Sequence, residues 1–192
     1  MLVKDLGMEF KVRNLNKRYK DNQVIENFSY DFKSGLYLLT GKNGSGKSTL
    51  LKLIANIISS DNKDTFIDNK KIAYLCEKVE VGNSKVLTFL TDIKKLNYCN
   101  KNIKEIMKKW QLPNKTILTL SKGNKQKCAL IMMFITDSDI YLFDEPTDAL
   151  DQVSITNFID GVKELIENNK IVIISTHEKE YFKSLKYVLL EF

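Results

Sequence analysis

Eight consecutive residues, Gly41-Lys42-Asn43-Gly44-Ser45-Gly46-Lys47-Ser48, constrain this chain more than any others. They fit G-x-x-x-x-G-K-[ST], which reads as a phosphate loop when a strand precedes it and a helix follows. Both flanks are present. Leu36-Tyr37-Leu38-Leu39-Thr40 is a continuous apolar run, as expected of a strand buried on both faces. After the loop, Leu50, Leu51, Leu53, Ile54, Ile57 and Ile58 recur at helical spacing. The glycines let backbone N–H groups curl around phosphate oxygens, and the helix N-terminus extends that anion nest. The pattern puts Lys47 on the β- and γ-phosphates of a nucleotide and the Ser48 hydroxyl on Mg²⁺.

A second site-bearing segment lies 97 positions after Lys47. There the apolar run Ile140-Tyr141-Leu142-Phe143 ends in Asp144-Glu145. A buried strand that ends in a carboxylate delivers it to the phosphate site, where Asp144 orients the water shell of Mg²⁺. Glu145 is then placed to take a proton from an attacking water. Further strands are predicted over residues 8–12, 28–32, 72–75, 171–174 and 188–190. Helical periodicity covers 86–111 and 152–168, and Ser121 caps a helix running to Met133. Strands alternating with helices predict an α/β fold with a mostly parallel, helix-covered sheet. Its functional residues belong at the carboxyl ends of the strands.

Composition narrows the function. The length of 192 residues fits one domain, and a 43% hydrophobic content supports a sizeable core. Cys76, Cys99 and Cys128 are widely spaced and odd in number, which suits reduced thiols. No run approaches the ~20 apolar residues that a bilayer span needs, and Met1–Asp5 does not read as a signal peptide. A soluble chain is expected, with any membrane task left to a partner. The net charge of +6 permits polyanionic ligands, yet no basic block with interleaved aromatics marks a nucleic-acid site.

With these segments in order, the chain resembles the ABC ATPase family along nearly its whole length. Leu120-Ser121-Lys122-Gly123-Asn124-Lys125-Gln126 resembles the family's LSGGQ signature. Phe143–Thr147 resembles its Walker B segment, Asp148–Asp151 its D-loop, and Ser175-Thr176-His177 its switch-histidine loop. The resemblance implies an ABC ATPase core: a mainly parallel sheet, an N-terminal antiparallel β subdomain and a short helical subdomain at about 84–136, within a single domain over 1–192. It implies ATP bound through Tyr19, Gly41, Asn43, Gly44, Ser45, Gly46, Lys47, Ser48 and Thr49, with Tyr19 stacked on adenine. Two such domains, as homodimer or heterodimer, would sandwich ATP head to tail. Ser121 and Gly123 would then touch the γ-phosphate held by the opposite subunit, Asp151 would organise the interface, and His177 would contact the γ-phosphate beside the base Glu145.

Three departures qualify the resemblance. Lys122 and Asn124 depart from LSGGQ, while Ser121 and Gly123 remain. Glu77 stands where the family's Q-loop glutamine is expected; with Ser48 and Asp144 it completes the Mg²⁺ set, and a carboxylate still serves there. Glu77 also resembles a branch of bacterial exporters of peptides, antibiotics and other amphiphiles. The chain is short between Ser60 and Ile72 and over 84–118, where the family receives its membrane subunit. The expectation is an ATPase subunit powering transport, with export favoured, from the cytoplasmic face of the membrane. It would act through a separate transmembrane permease and bind no nucleic acid. A non-catalytic nucleotide-gated clamp in a heterodimer, or a soluble ATPase acting on nucleic acid or ribosomes, are the alternatives.

Overall fold

The computed structural model describes residues 7–76 and 83–192. Three strands form an antiparallel sheet in the order β2-β1-β4: β1 (Glu9–Tyr19), β2 (Asn22–Lys33) and the two-residue β4 (Phe66–Ile67). Five more form a parallel sheet: β3 (Gly35–Thr40), β5 (Ile72–Leu75), β6 (Ile140–Asp144), β7 (Ile171–Ser175) and β8 (Tyr187–Glu191), in the order β5-β6-β7-β3-β8. Helices α1 (Lys47–Ile54), α2 (Val86–Leu96), α3 (Ile103–Lys109), α4 (Lys122–Ile135) and α5 (Gln152–Glu167) complete the regular structure, with two short 3₁₀ turns. Among the described residues no helix is long and apolar enough to cross a membrane.

The continuous apolar runs follow from a sheet covered on both faces. Along β3, Leu36 and Leu38 point into a core shared with α2, α4 and α5. Tyr37 and Leu39 point into a second core with α1, β1 and β2. Successive side chains of a strand alternate faces, and β6 and β7 obey the same rule. Tyr141, Phe143, Val172 and Ile174 join the first core, whereas Ile140, Leu142, Ile171 and Ile173 join the second. Cys128 is buried in the first core, where burial pushes its thiol up to about 12. That is a packing role, not a reactive thiol.

Two helices depart from the sequence expectation. The helix after the phosphate loop stops at Ile54, not Ile58. Asn56 turns left-handed at φ 54°, and the Ile57 N–H closes onto the Lys52 carbonyl at 2.9 Å. This is the bond pattern that ends helices, and it leaves Ile57 56% exposed. The periodic stretch 86–111 is two helices. Tyr98 at φ 50° breaks α2, and the Asn102 side chain accepts from Lys104 N–H and Glu105 N–H to start α3. Helical spacing survives such a turn, so periodicity alone cannot see it.

The parallel register brings Asp144 opposite Ser175, and Leu39 opposite Ser175 from the other side. The ends of β6, β7 and β3 are therefore flush, and everything that follows them meets at one edge. Behind this edge α5 packs against α4. A Cβ on Gly161 would sit 2.6 Å from the ring of Phe134, which itself lies 6.0 Å from Phe143 and 5.9 Å from Phe158. Gly161→Ala gains roughly 1 kcal/mol of helix propensity but forces this ring cluster apart at a cost of roughly 1–3 kcal/mol. Urea unfolding is expected to show a net loss of about 1 kcal/mol.

Candidate active site

A cavity of about 650 Å³ opens at the flush strand ends, lined by Asn43 to Thr49, Val24, Glu145, Asp148, His177 and Glu178. Its floor is the predicted loop between β3 and α1. Gly46 carries φ 107°, and a Cβ there would press within 3.0 Å of the Val24 carbonyl and side chain. Only glycine combines that left-handed backbone with that proximity. The turn leaves the first N–H groups of α1 without helical partners, facing the cavity as an anion cradle.

Lys47 is 6% exposed, and its ammonium donates to the carbonyls of Gly41 at 3.0 Å and Lys42 at 3.3 Å. Neutral carbonyls satisfy its hydrogens, and no ion pair closes on it among the described residues; the Glu145 carboxylate acts on it only through space, which a buried ammonium tolerates poorly. The Ser45 hydroxyl is buried with no partner among the described residues. A buried cation without an ion pair among the described residues and an orphaned donor beside a nest of N–H groups fit a polyphosphate.

Asp144, 2% exposed, lies behind the cavity lining rather than in it and reaches the site through Ser48. One carboxylate oxygen accepts from the Ser48 hydroxyl at 2.9 Å and from the Ser175 hydroxyl at 2.6 Å. The other accepts from the Tyr74 hydroxyl at 3.4 Å. Hydroxyls and carboxylate at the loop mouth fit Mg²⁺, a hard cation that takes few protein oxygens and keeps its waters or phosphate ligands. Glu77 lies outside the described residues.

Glu145 stands at the cavity wall with Oε1 3.1 Å from His177 Nε2. Burial raises its carboxyl above the usual range, while the His177 imidazole and the Lys47 ammonium hold back part of the rise. A carboxylate with a raised pKa on the wall of this cavity suits proton abstraction from water.

The remaining sequence-predicted residues fall elsewhere. Gly41 faces a neighbouring hollow beside Glu191 and Phe192. Tyr19 ends β1, is 47% exposed and does not line the cavity; Lys17 Nζ lies 5.9 Å from its ring centre. Ser121 caps α4 by accepting from Asn124 N–H at 3.3 Å, so the predicted cap is present. Ser121, Gly123 and Asp151 form a separate surface outside the cavity. A Cβ on Gly123 would lie 2.6 Å from the Ala149 carbonyl oxygen, so glycine is needed for α4 to meet the 148–151 loop. Asp151 caps α5 through Ser154 N–H at 2.8 Å and pairs with the buried Lys127 ammonium at 2.6 Å. Those partners pull its carboxyl down to about 2.

Sequence reasoning missed Val24, Asp148 and Glu178 in the lining, and Ser175 as a ligand of Asp144. Glu178 follows His177 directly and accepts from the Thr147 hydroxyl at 3.2 Å, tying the two loops together. Its position beside His177 was a usable signal. Val24 carried none, because it arrives from the antiparallel sheet.

The sequence profile of the ABC transporter family matches residues 25–148. An uncharacterized ABC transporter ATP-binding protein of Methanocaldococcus jannaschii is 34% identical over 187 residues, covering 92% of this chain and 71% of that protein. An energy-coupling factor transporter ATP-binding protein of Thermotoga maritima is 26% identical over 201 residues, covering 95% and 78%. Among solved structures, the ATP-binding subunit of an ABC transporter superposes with a TM-score of 0.80 at 20% identity, covering 95% of this chain and 86% of that one. This chain belongs to the ABC transporter family, as an ATP-binding subunit with that family's ATPase activity.

Proposed function

We propose that the cavity binds Mg·ATP, that Glu145 and His177 carry its hydrolysis, and that turnover drives a transmembrane permease on a separate polypeptide. The observation that carries the reading is the presence of Lys47 and Glu145 on the walls of one cavity. The first is a buried cation without an ion pair among the described residues, and the second a carboxylate whose affinity for protons is raised.

The loop from Gly41 to Thr49 holds the phosphates through backbone N–H groups, the Ser45 hydroxyl and Lys47, which exchanges its carbonyl partners for phosphate oxygens. Ser48, Asp144 and, from the sequence, Glu77 would hold Mg²⁺, which supplies neutralisation of charge on the phosphates. Glu145 takes the proton from water as it attacks the γ-phosphorus in line, and His177 keeps the Glu145 carboxylate on station. Tyr19 offers an exposed ring to the adenine. Ser121 and Gly123, at the N-terminus of α4, present a hydroxyl and N–H groups to the γ-phosphate of a second ATP-binding domain, with Asp151 at the junction. The γ-phosphate thereby bridges two domains, and its loss separates them.

Residues 84–118 offer a short face to the permease, and Glu77 favours export of a peptide, antibiotic or other amphiphile, from the cytoplasmic side. Lys122 and Asn124 in the signature support a second reading, a nucleotide-gated clamp that needs a catalytic partner. The two readings part at Glu145.

Glu145→Gln is expected to slow ATP turnover by about 100-fold or more, the typical worth of a general base, while nucleotide binding persists and gel filtration in Mg·ATP shows a trapped dimer. Unchanged turnover of the assembled complex would transfer the chemistry to the partner domain. The pH dependence follows from the direction of the Glu145 shift. Because the carboxylate is the active form and burial raises its pKa, the acid limb of turnover lies above the ordinary carboxylate pKa of about 4.3. His177 lowers that pKa, so residual activity of His177→Gln should show its acid limb displaced to higher pH. A limb that stays in place would remove His177 from this role.

A further inference from the structure

We propose that the exposed edge formed by the end of α2, the 97–102 loop and α3 docks on the anionic headgroup surface of a lipid bilayer. Residues 83–127 contain eleven lysines against two acids, Asp92 and Glu105. That is a net +9 in a chain whose total is +6, so all other residues together sum to −3. The net excess of positive charge therefore lies within this one helical region, although most of the lysines and arginines lie elsewhere and are offset by acids.

Part of that charge is internally balanced. Lys101 pairs with Glu164, Lys109 with Asp160, Lys127 with Asp151, and Lys95 with Asp92 at 3.7 Å. Glu105 is engaged by the Asn102 amide. Lys94, Lys104 and Lys108 have no ion pair among the described residues. Lys94 and Lys104 come from different helices yet line one open depression of about 480 Å³ with Thr91, Asn100 and Asn102. The fold has thus gathered two ammonium groups without ion pairs among the described residues at a hollow walled by amides, a hydroxyl and the apolar side chains of Leu87 and Ile103.

Two apolar side chains project where α2 ends, outside the depression. Leu96 is 75% exposed and Tyr98 is 93% exposed, the highest values among the large hydrophobic residues described. The left-handed turn at Tyr98 throws that ring outward from the end of α2. Lysines flanking an exposed leucine and tyrosine suit a bilayer interface, where ammonium groups meet phosphates and short apolar anchors enter the headgroup layer. The segment contains no arginine, so it lacks the planar fork that reads individual phosphates or carboxylates bidentately. A diffuse anionic surface asks only for point charges.

Flotation of the full chain with protein-free vesicles tests this. Binding is expected to vesicles of equimolar phosphatidylcholine and phosphatidylglycerol at low salt, and not to phosphatidylcholine alone. It should be lost near about 1 M salt, where screening shortens to ~3 Å. Lys94→Gln with Lys104→Gln should weaken it about 25-fold, near fivefold for each charge removed. Leu96→Ser with Tyr98→Ser should weaken it while leaving the salt dependence in place. Lys63→Gln, in the antiparallel-sheet half, should change nothing. ATP turnover, unchanged in every variant, reports that each is folded. Equal binding to neutral vesicles, or no loss in the lysine double variant, overturns the proposal. Tighter binding of duplex DNA through the same lysines would overturn it by assigning the face to nucleic acid. No permease is present in the vesicles, so failure leaves the transporter reading untouched.

Discussion

The buried carboxylate of Asp144 is the interaction on which the site depends. It ends β6, yet its oxygens are held by a hydroxyl from α1, one from the end of β7 and one from β5. Three elements distant in sequence are tied to one side chain at 2% exposure. A carboxylate buried this deeply is costly unless hydrogen-bonded. Its tolerance therefore requires Ser48, Ser175 and Tyr74 to hold their places, which in turn requires the strand ends to be flush. The parallel register supplies that condition, and the phosphate loop inherits its position from it.

The first turns of α4 are fastened to the loop that follows Asp144 by three unlike contacts. The buried Gln126 amide donates to the Pro146 carbonyl at 2.9 Å, Gly123 lies against the Ala149 carbonyl, and Lys127 pairs with Asp151. Because Lys127 is buried and Asp151 is half-exposed, the pair spans from interior to surface and also caps α5. Ser121 sits at the head of this assembly. Any shift of the 145–151 loop is thus carried to the Ser121 surface through a hydrogen bond, a steric contact and an ion pair. Packed elements of this kind move as units, which is what the proposed head-to-tail dimer would need for its two surfaces to respond to one phosphate.

Strand and loop identities were legible because they depend on local rules. The phosphate loop is fixed by its glycines and by the switch from strand to helix around it, and the doubly buried strands declare themselves as unbroken apolar runs. Ser121 was legible as a cap for the same reason. The end of α1 and the break at Tyr98 were not, because both rest on single left-handed residues that are not glycine, Asn56 and Tyr98. The apolar spacing carries on across both turns. Val24 was illegible since its place depends on how the antiparallel sheet lies over the loop. The lysine excess of residues 83–127 could be counted in the sequence, but not the convergence of Lys94 and Lys104, which needs two helices brought together.

Glu145 shows what local rules cannot account for. Its φ is 46°, a left-handed conformation that costs a residue with a Cβ roughly 1–2 kcal/mol. It also precedes Pro146, which by itself disfavours helical backbone in the residue before it. Glycine would relieve the first strain, and a stability-driven sequence would place it there. The conformation persists because the Glu145 N–H is clamped to the Ser175 carbonyl at 3.2 Å and hydroxyl at 3.1 Å. That same Ser175 holds Asp144. The clamp turns the chain sharply after β6, so two adjacent carboxylates face different tasks: Asp144 into the hydroxyl cluster, Glu145 toward His177 and the cavity. A regular strand would send them to opposite faces of the sheet. The strain is therefore the cost of turning the two adjacent acids to different partners at the end of one strand, and the general-base role proposed for Glu145 would be a reason to bear it.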